Sequence, residues 1–141
     1  MGDPAPIVRP FLERGLAGDW RRVVLLSSSA TEPGDHGLGA LHRLVSDMVP
    51  EWVVLRPSWF MENFISDHPV AAGLRAGEVT TATGDGRIGF VDVANIASVA
   101  THLLLQDDPP NDDYVITGPQ ALSYADVCDL VTELTGRPTR H

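Results

Sequence analysis

Two short, continuous apolar runs constrain the fold of this chain more than any other feature. "RRVVLLSSS" spans residues 21–29, and "EWVVLRP" spans residues 51–57. Strands that are apolar on both faces are typical of a parallel sheet covered by helices on both sides. Between the two runs lies a helical stripe that Pro50 stops, formed by Leu38, Leu41, Leu44, Val45 and Met48. The sequence therefore predicts two parallel strands joined by a crossover helix.

The flanking segments continue this alternation of helices and strands. Residues 7–16 have helical spacing, and residues 60–76 predict short helices interrupted at Pro69. Residues 77–93 predict small strands around a Gly-Asp-Gly turn, and "DYVITG" (113–118) predicts a third main strand. All 141 residues are therefore predicted to form one α/β domain. Its sheet is mostly parallel, with about three main strands, flanking helices and a small hairpin.

The last two predicted helices carry recognisable signals at their ends. Asn95 is the predicted N-cap of a helix whose apolar face runs over residues 96–104. Ser123 and Asp126 have the spacing of a capping-box variant, and Gly136 ends the final helix. The single cysteine, in that same helix, is predicted to pack in the core instead of acting as a nucleophile.

The charged residues exclude several classes of function. The net charge is −9, and all ten basic residues are arginines. Nucleic-acid binding requires clustered positive charge, so no nucleic-acid partner is predicted. Without lysine there is no Schiff-base chemistry and no Tyr/Lys catalytic pair. The five histidines do not have metal-ligand spacing, so no metal site is predicted.

Hydropathy points away from a membrane. No apolar run reaches the ~18 residues that a membrane span needs. The first ten residues, "MGDPAPIVRP", do not form the apolar core of a signal peptide. The expected location is therefore the cytoplasm, with no membrane partner.

Polar and aromatic residues follow the first two predicted strands. Ser28 and Ser29 end the first strand, and "LRPSWFMENF" (55–64) continues from the second. Ligands of parallel α/β sheets bind outside the carboxyl ends of the strands, so both segments are candidates for one crevice. Arg56 either pairs with a carboxylate such as Asp92 or reaches a cofactor.

In these segments the chain resembles the carboxyl-terminal half of NmrA-like proteins. These are atypical members of the short-chain dehydrogenase superfamily with a dinucleotide-binding, Rossmann-like fold. The resemblance covers nearly the whole chain and rests on "VRPFLERGL", "RRVVLLSSSATEPG", "LHRLVSD", "WVVLRPSWFMENF", "GRIGFVDVANIASVATHLL" and "YVITGPQALSYADVCDLVTELTGRP". The "RPSWFMENF" block is similar to a branch that includes ergot-alkaloid-type dehydrogenases.

The resemblance implies an NAD(P)-dependent oxidoreductase domain, partial in its dinucleotide-binding fold, that acts on a small apolar substrate. Pro57 and Ser58 match the segment that passes the nicotinamide. The substrate side is matched by Trp59, Phe60, Met61, Asn63 and Phe64, and the small hairpin belongs to that side too. A core role for Phe60 and Phe64, four residues apart on a helix, remains an equal alternative. Asn63 would supply both a donor and an acceptor in an apolar wall.

The catalytic residues of the superfamily are only partly matched. Ser28 and Ser29 resemble the serine segment that polarises a substrate carbonyl, and either one is a candidate. By spacing, Leu38 occupies the tyrosine position and His42 the lysine position. His42 is therefore a candidate acid or base. The alternatives are serines that satisfy backbone groups and a partly exposed helix histidine.

The glycine-rich half of the family is not matched. The turn G-x-x-G-x-x-G does not occur in this sequence, and "GLGA" (37–40) is too short to replace it. The chain alone is thus expected to bind NAD(P) weakly or not at all. Strand 21–27 would be central in the complete fold, so its free edge predicts a homo-oligomer or a complementary dinucleotide-binding chain. Two alternatives are a non-catalytic regulatory module and a remnant without independent function.

Overall fold

The computed structural model describes residues 3–108 and 110–141. Its elements are α1 (Ala5–Ala17), β1 (Arg22–Leu26), α2 (Gly37–Met48), β2 (Glu51–Pro57), a 3₁₀ turn (Met61–Phe64), α3 (Pro69–Ala76), β3 (Ile88–Gly89), α4 (Val93–Leu105), β4 (Asp112–Ile116), β5 (Ala121–Leu122) and α5 (Tyr124–Thr135). None of the helices in the described part of the chain is long and apolar enough to cross a membrane.

Internal contacts divide the chain into two compact units. Unit 1 comprises the residues up to Pro57 together with Ala94–Ile116. Unit 2 comprises Ser58–Val93 and Thr117–His141. That the whole chain is a single domain stays a prediction, because two compact units can still unfold together.

Unit 1 contains the parallel sheet that the sequence predicted, and this prediction is confirmed. The strand order is β1–β2–β4, with all pairs parallel. Leu26 lies opposite Leu55, and Arg56 lies opposite Val115. The central strand β2 is buried from Val53 to its end, as expected for a strand covered on both faces.

The helices of unit 1 are held on the sheet by apolar packing and by one arginine. A core cluster joins α1 and α2 to one sheet face, which contributes Val23, Leu25 and Trp52. Its buried members are Leu12, Leu41, Leu44, Val45 and Val49. Arg22, at the start of β1, donates to the carbonyl of Leu104 near the end of α4 over 2.8 Å. Such a contact satisfies a carbonyl that the helix itself leaves free.

Unit 2 contains an aromatic core and the small antiparallel pair. The Phe90 ring contacts the rings of Phe64 and Tyr124 in edge-to-face geometry, with centroid distances of 4.7 and 5.7 Å. Strand β3 pairs with β5, so that Ile88 lies opposite Leu122. The small antiparallel pair is confirmed, but its second strand lies far along the chain and not within residues 77–93.

Close backbone approach explains why this pairing is possible. The Gly118 N–H donates to the Gly89 carbonyl over 3.2 Å. A Cβ on Gly118 would lie 1.8 Å from the carbonyl oxygen of Phe90. Only glycine permits this contact. The residues next to Gly118 in the sequence do not indicate it, because its partners lie far away in the chain.

Most helix boundaries agree with their sequence signals. The capping box is confirmed, since Ser123 Oγ accepts from the Asp126 N–H and the Asp126 carboxylate accepts from the Ser123 N–H. Gly136 follows α5 in the left-handed region, with φ of 69°. The prediction for Asn95 was wrong, because α4 already begins at Val93 and places Asn95 inside the first turn.

Candidate functional site

The carboxyl ends of β1 and β2 carry a group of polar side chains in unit 1. This polar cluster consists of Glu32, His42, Arg56 and Asp113, and the buried Ser27 follows β1. Paired residues of parallel strands point to the same sheet face, and the register places Arg56 and Asp113 on the face that Trp52 and α2 share. Arg56 lies near the carboxyl end of β2, where parallel sheets commonly bind ligands, whereas Asp113 approaches it from near the start of β4.

Arg56 is the centre of the polar cluster. It is only 6% exposed, and its guanidinium donates to Asp113 Oδ1 over 3.2 Å and also to Glu32. The pKa of Arg56 is raised above its usual value, chiefly by the hydrogen bond to Glu32, while burial opposes the rise. Two carboxylates thus hold the charge of an arginine that would be costly to bury alone.

These partners differ from the one considered from the sequence. Asp92 was the example of a carboxylate for Arg56, whereas the structure supplies Asp113 and Glu32. Neither residue had a local signal, because both contacts join segments far apart in the chain. The pairing supports a structural role for Arg56. Its Nε nonetheless remains buried without a hydrogen-bond partner among the described residues.

His42, the candidate acid or base, is buried on α2. It is 4% exposed, so the alternative of a partly exposed helix histidine was wrong. Its Nε2 lies 3.7 Å from Asp113 Oδ2, and its ring lies 5.9 Å from the ring of Trp52. His42 therefore joins the polar cluster through Asp113. Leu38, one turn earlier, is 39% exposed.

The serine segment places its three side chains in different surroundings. Ser27 and Ser29 continue alongside β2 by donating their N–H groups to Leu55 and Pro57. The Ser28 hydroxyl accepts from the Ala30 N–H over 3.2 Å, which is the local backbone contact that the sequence offered as an alternative. Ser27 is the buried member, and its Oγ has no partner among the described residues. The sequence reasoning considered only Ser28 and Ser29.

The aromatic segment after β2 belongs to unit 2 from Ser58 onward. Trp59 and Met61 exchange backbone hydrogen bonds with Val91 at 2.9 and 3.0 Å. The Ser58 hydroxyl donates to the Gly89 carbonyl. The segment is thereby fixed along residues 89–91 by its own backbone. Ser58 was predicted to lie beside a cofactor. Its hydroxyl proton, however, is donated within the fold to the Gly89 carbonyl.

The predicted substrate-side residues differ in exposure. Trp59 is 46% exposed, and Phe60 and Asn63 are partly buried. Phe64 packs in the aromatic core of unit 2. Pro57, at the end of β2, is fully buried. Substrate contact by Trp59, Phe60 and Asn63 stays a prediction.

Glu62 is a further polar residue of this segment, to which the sequence assigned no role. Its Oε1 accepts from the Val93 N–H over 3.1 Å at the start of α4. Its Oε2 is buried and has no hydrogen-bond partner among the described residues. A carboxylate among aromatic residues was visible in "SWFMENF", but its burial depends on the folding of unit 2.

The described residues do not form a complete site for a dinucleotide. In the described part of the chain, the glycines nearest to a phosphate-loop pattern are Gly37 and Gly39, at the start of α2. A Cβ on Gly39 would lie 2.6 Å from the Glu32 carbonyl, so this glycine serves close packing of the backbone. Among the described residues, no group of three or more His, Cys, Asp or Glu is arranged to hold a metal ion.

Comparison with known proteins places this arrangement in a protein class. No protein-family profile matches the chain. An uncharacterized oxidoreductase of Bacillus subtilis, YesF, is 41% identical over 139 residues, which are 99% of this chain and 48% of the relative. Festuclavine synthase II of Penicillium roqueforti is 39% identical, over 99% of this chain and 49% of its own length. The chain thus spans about half the length of the curated relatives that it matches.

Solved structures share the fold. An NADPH-dependent quinone oxidoreductase of Escherichia coli, complexed with NADPH, has a TM-score of 0.80 at 22% identity. The match covers 96% of this chain and 49% of that one. The triphenylmethane reductase of Citrobacter sp. has a TM-score of 0.75 at 15% identity, over 94% of this chain and 47% of that one.

The fold is therefore a Rossmann-like α/β fold with a parallel sheet. More narrowly, the chain is related over almost its whole length to the NmrA-like, atypical short-chain dehydrogenases, and it corresponds to the carboxyl-terminal half of these relatives. The resemblance predicted from the sequence is confirmed.

Proposed function

We propose that this chain is the substrate-side half of an NAD(P)-dependent oxidoreductase that reduces a small apolar carbonyl, imine or alkene. Turnover requires a dinucleotide-binding half, which belongs either to the same longer protein or to a separate chain. Without that half, the affinity of this chain for NAD(P) is weak or absent. In this proposal Pro57 and Ser58 pass the nicotinamide, and Trp59, Phe60 and Asn63 contact the substrate.

The free edge of β1 is the observation that carries the proposal. Among the described residues, β1 pairs with β2 alone. Ser27 and Ser29 direct their N–H groups to β2, and alternate residues of a parallel strand donate to the same neighbour. The N–H groups of Val24 and Leu26 therefore point to the other edge. Leu26 is also 52% exposed, although it lies in a strand of the buried type. A further parallel strand would satisfy these groups and cover Leu26.

A non-catalytic, regulatory role is the second candidate. It is supported by Leu38 and His42 at the tyrosine and lysine positions, and by the burial of His42 against Asp113. Such a module would bind a small molecule or a partner chain without reducing a substrate. The two candidates differ in one measurable respect, which is consumption of the reduced dinucleotide.

The test is to co-express the chain with the amino-terminal half of the Bacillus subtilis relative. NADPH and NADH are titrated by fluorescence, and their oxidation is followed with a panel of apolar quinones, aldehydes and imines. We expect a one-to-one complex that binds at least one dinucleotide and oxidises it with substrate. A complex that binds dinucleotide without turnover would support the regulatory candidate. A complex that binds neither dinucleotide would refute the oxidoreductase proposal.

An edge variant tests how the halves associate. Val24→Pro removes a free N–H from β1 but leaves the β1–β2 hydrogen bonds intact, and proline is tolerated at sheet edges. Val24→Thr is the control, because it has nearly the same shape and keeps the N–H. We expect Val24→Pro to weaken the complex by at least about tenfold, which is ~1.4 kcal/mol, while the circular dichroism of the isolated chain stays unchanged. Equal affinities of the two variants would show that β1 is not the contact.

A further inference from the structure

Unit 2 contains a small cleft between α3, α5 and the end of the 3₁₀ turn. Its volume is about 250 Å³, slightly below the range of sites for drug-sized ligands, so a molecule that binds there has to be small. The apolar part of the lining consists of Phe64, Ile65, Leu74 and Val131. Two arginines, Arg75 and Arg137, and two threonines complete the described lining.

The two threonines of the cleft have no hydroxyl proton to offer a ligand. The Thr135 hydroxyl donates to the Val131 carbonyl over 2.7 Å, and the Thr139 hydroxyl donates to the Arg137 carbonyl over 3.3 Å. The described lining also contains no carboxylate. The side-chain donors that remain for a ligand therefore belong to Arg75 and Arg137.

Both arginines are positioned by the backbone and keep most of their donors free. Arg137 Nη2 donates to the Arg75 carbonyl over 3.0 Å, and Arg75 Nη1 donates to the Ser66 carbonyl over 3.3 Å. A guanidinium has five N–H donors, so these two contacts occupy few of them. The other arginines of unit 2, Arg87 and Arg140, form ion pairs. Within the described part of the chain, Arg75 and Arg137 have no carboxylate partner, although the net charge is −9.

This combination of groups selects an anion with an apolar body. A carboxylate would accept hydrogen bonds from the guanidinium donors, and its charge would offset the repulsion between the two arginines. A neutral acceptor would gain only ordinary hydrogen bonds, and a cation would be repelled. The apolar floor, where Leu74 is buried and Val131 partly buried, requires a hydrocarbon body next to the charged group.

We propose that this cleft binds a small apolar monocarboxylic acid, with Arg75 and Arg137 as its counter-ions. The site is separate from the proposed substrate contacts, because Trp59, Phe60 and Asn63 are not among its described lining residues. All the described lining residues belong to unit 2, so binding requires neither a dinucleotide nor a second chain. The bound acid would stabilise the folded chain without being reduced.

Three probes that share a phenylpropyl body test the proposal on the full chain. They are 3-phenylpropanoate, 3-phenylpropanamide and 3-phenylpropylamine, which present an anion, a neutral amide and a cation. The chain is labelled at its leucine methyl groups for NMR. Leu74 lines the cleft, whereas Leu44 lies in the core of unit 1 and serves as the internal reference. We expect saturable shifts of the Leu74 methyl signals, with the acid binding about fivefold more tightly than the amide and the amine binding most weakly.

Charge removal at each arginine identifies the counter-ions. Both arginines are exposed, so the loss for each one is moderate. We expect Arg75→Gln and Arg137→Gln each to bind the acid about threefold more weakly and the amide as before. Arg140→Gln is the matched control, since it removes the same charge from an exposed position of unit 2 outside the described lining. In about 1 M salt the preference of the parent chain for the acid should disappear, because salt screens exposed charges.

Several results would overturn the proposal. They are equal affinities for the acid and the amide, tighter binding of the amine, or equal losses in Arg75→Gln and Arg140→Gln. Larger shifts at Leu122, which is in unit 2 but outside the described lining, than at Leu74 would place the probes elsewhere. Absence of saturable binding by the acid would also refute the site. Thermal melting of each variant distinguishes loss of binding from loss of folding, and the salt dependence of the parent chain tests the role of charge without any substitution.

Discussion

Removal of the Asp113 carboxylate should expose how strongly the polar cluster holds unit 1 together. Asp113→Ala leaves the Arg56 guanidinium, whose side chain is 8% exposed, with Glu32 as its remaining ionic partner. The same change removes the carboxylate beside His42. A buried charge that loses a partner cannot recover its hydration, so the folded state becomes less stable.

The magnitude follows from the exposure of the three side chains. Breaking a fully buried ion pair costs ~3–5 kcal/mol, whereas an exposed pair contributes ~0–1 kcal/mol. The Asp113 side chain is 26% exposed, and Glu32 remains beside the arginine. We therefore expect a loss of ~2 kcal/mol for Asp113→Ala. The Glu32 side chain is 77% exposed, so Glu32→Ala should cost less than ~1 kcal/mol despite its direct contact with Arg56.

Urea unfolding followed by circular dichroism measures both losses. With a slope of ~1–2 kcal/mol per molar urea, Asp113→Ala should lower the midpoint by about 1–2 M. Asp47→Ala, at an exposed position of α2, should change the free energy of unfolding by less than ~0.5 kcal/mol. In 1 M salt the small effect of Glu32→Ala should disappear while that of Asp113→Ala persists, because salt screens exposed charges much more than buried ones. Equal losses for Asp113→Ala and Glu32→Ala would refute the argument from burial.

Three other features of the fold lead to further expectations. Gly118→Ala should destabilise unit 2 by more than ~2 kcal/mol in the same urea assay, because the added Cβ meets the Phe90 carbonyl. Gly34→Ala is the control and should cost less than ~1 kcal/mol, because the nearest atom to its Cβ is 3.7 Å away. The pKa of Asp126 is lowered by hydrogen bonds from the Ser123 backbone and hydroxyl and by Arg87, so its contribution to stability is present at neutral pH and is lost as pH falls below about 3.9 through the folded pKa. Asp126→Asn should therefore melt earlier than the parent chain at pH 7, with the gap narrowing at pH 3; a constant gap would contradict the cause given for the shift. Burial, and secondarily Asp129, raises the pKa of the Cys128 thiol, so a disulfide reagent at pH 8 should label the native chain at least about tenfold more slowly than the urea-unfolded chain.

The predictable part of the fold is the part with short-range signals. The run at 51–57 became a strand with the predicted bounds, buried from Val53 onward, because the apolar residues Val53, Val54 and Leu55 suit a strand covered on both faces. The capping box at Ser123 needed contacts over only three residues. The prediction of Asn95 as an N-cap failed because α4 begins two residues before it. N-cap preference alone does not distinguish neighbouring polar residues at a strand-to-helix junction.

The candidate site was predictable only in outline. The position of serines and aromatic residues after two strands pointed to the carboxyl edge of the sheet. The partners of Arg56 could not be read in the same way, since Glu32 and Asp113 reach it from segments on either side of β2 in the chain. The buried serine proved to be Ser27, which was not among the residues predicted from the sequence.

The chain's order of apolar and polar residues was sufficient for its class of fold and for its crossover connection, and its sequence motifs carried the resemblance to the NmrA-like proteins. Periodicity and caps act between residues a few positions apart, and a linear pattern records them directly. Tertiary folding alone selected β5 as the partner of β3, Asp113 and Glu32 as the partners of Arg56, and Arg75 and Arg137 as the cations of an apolar cleft. Each of these depends on which distant segments come together, and on how much water is removed when they do.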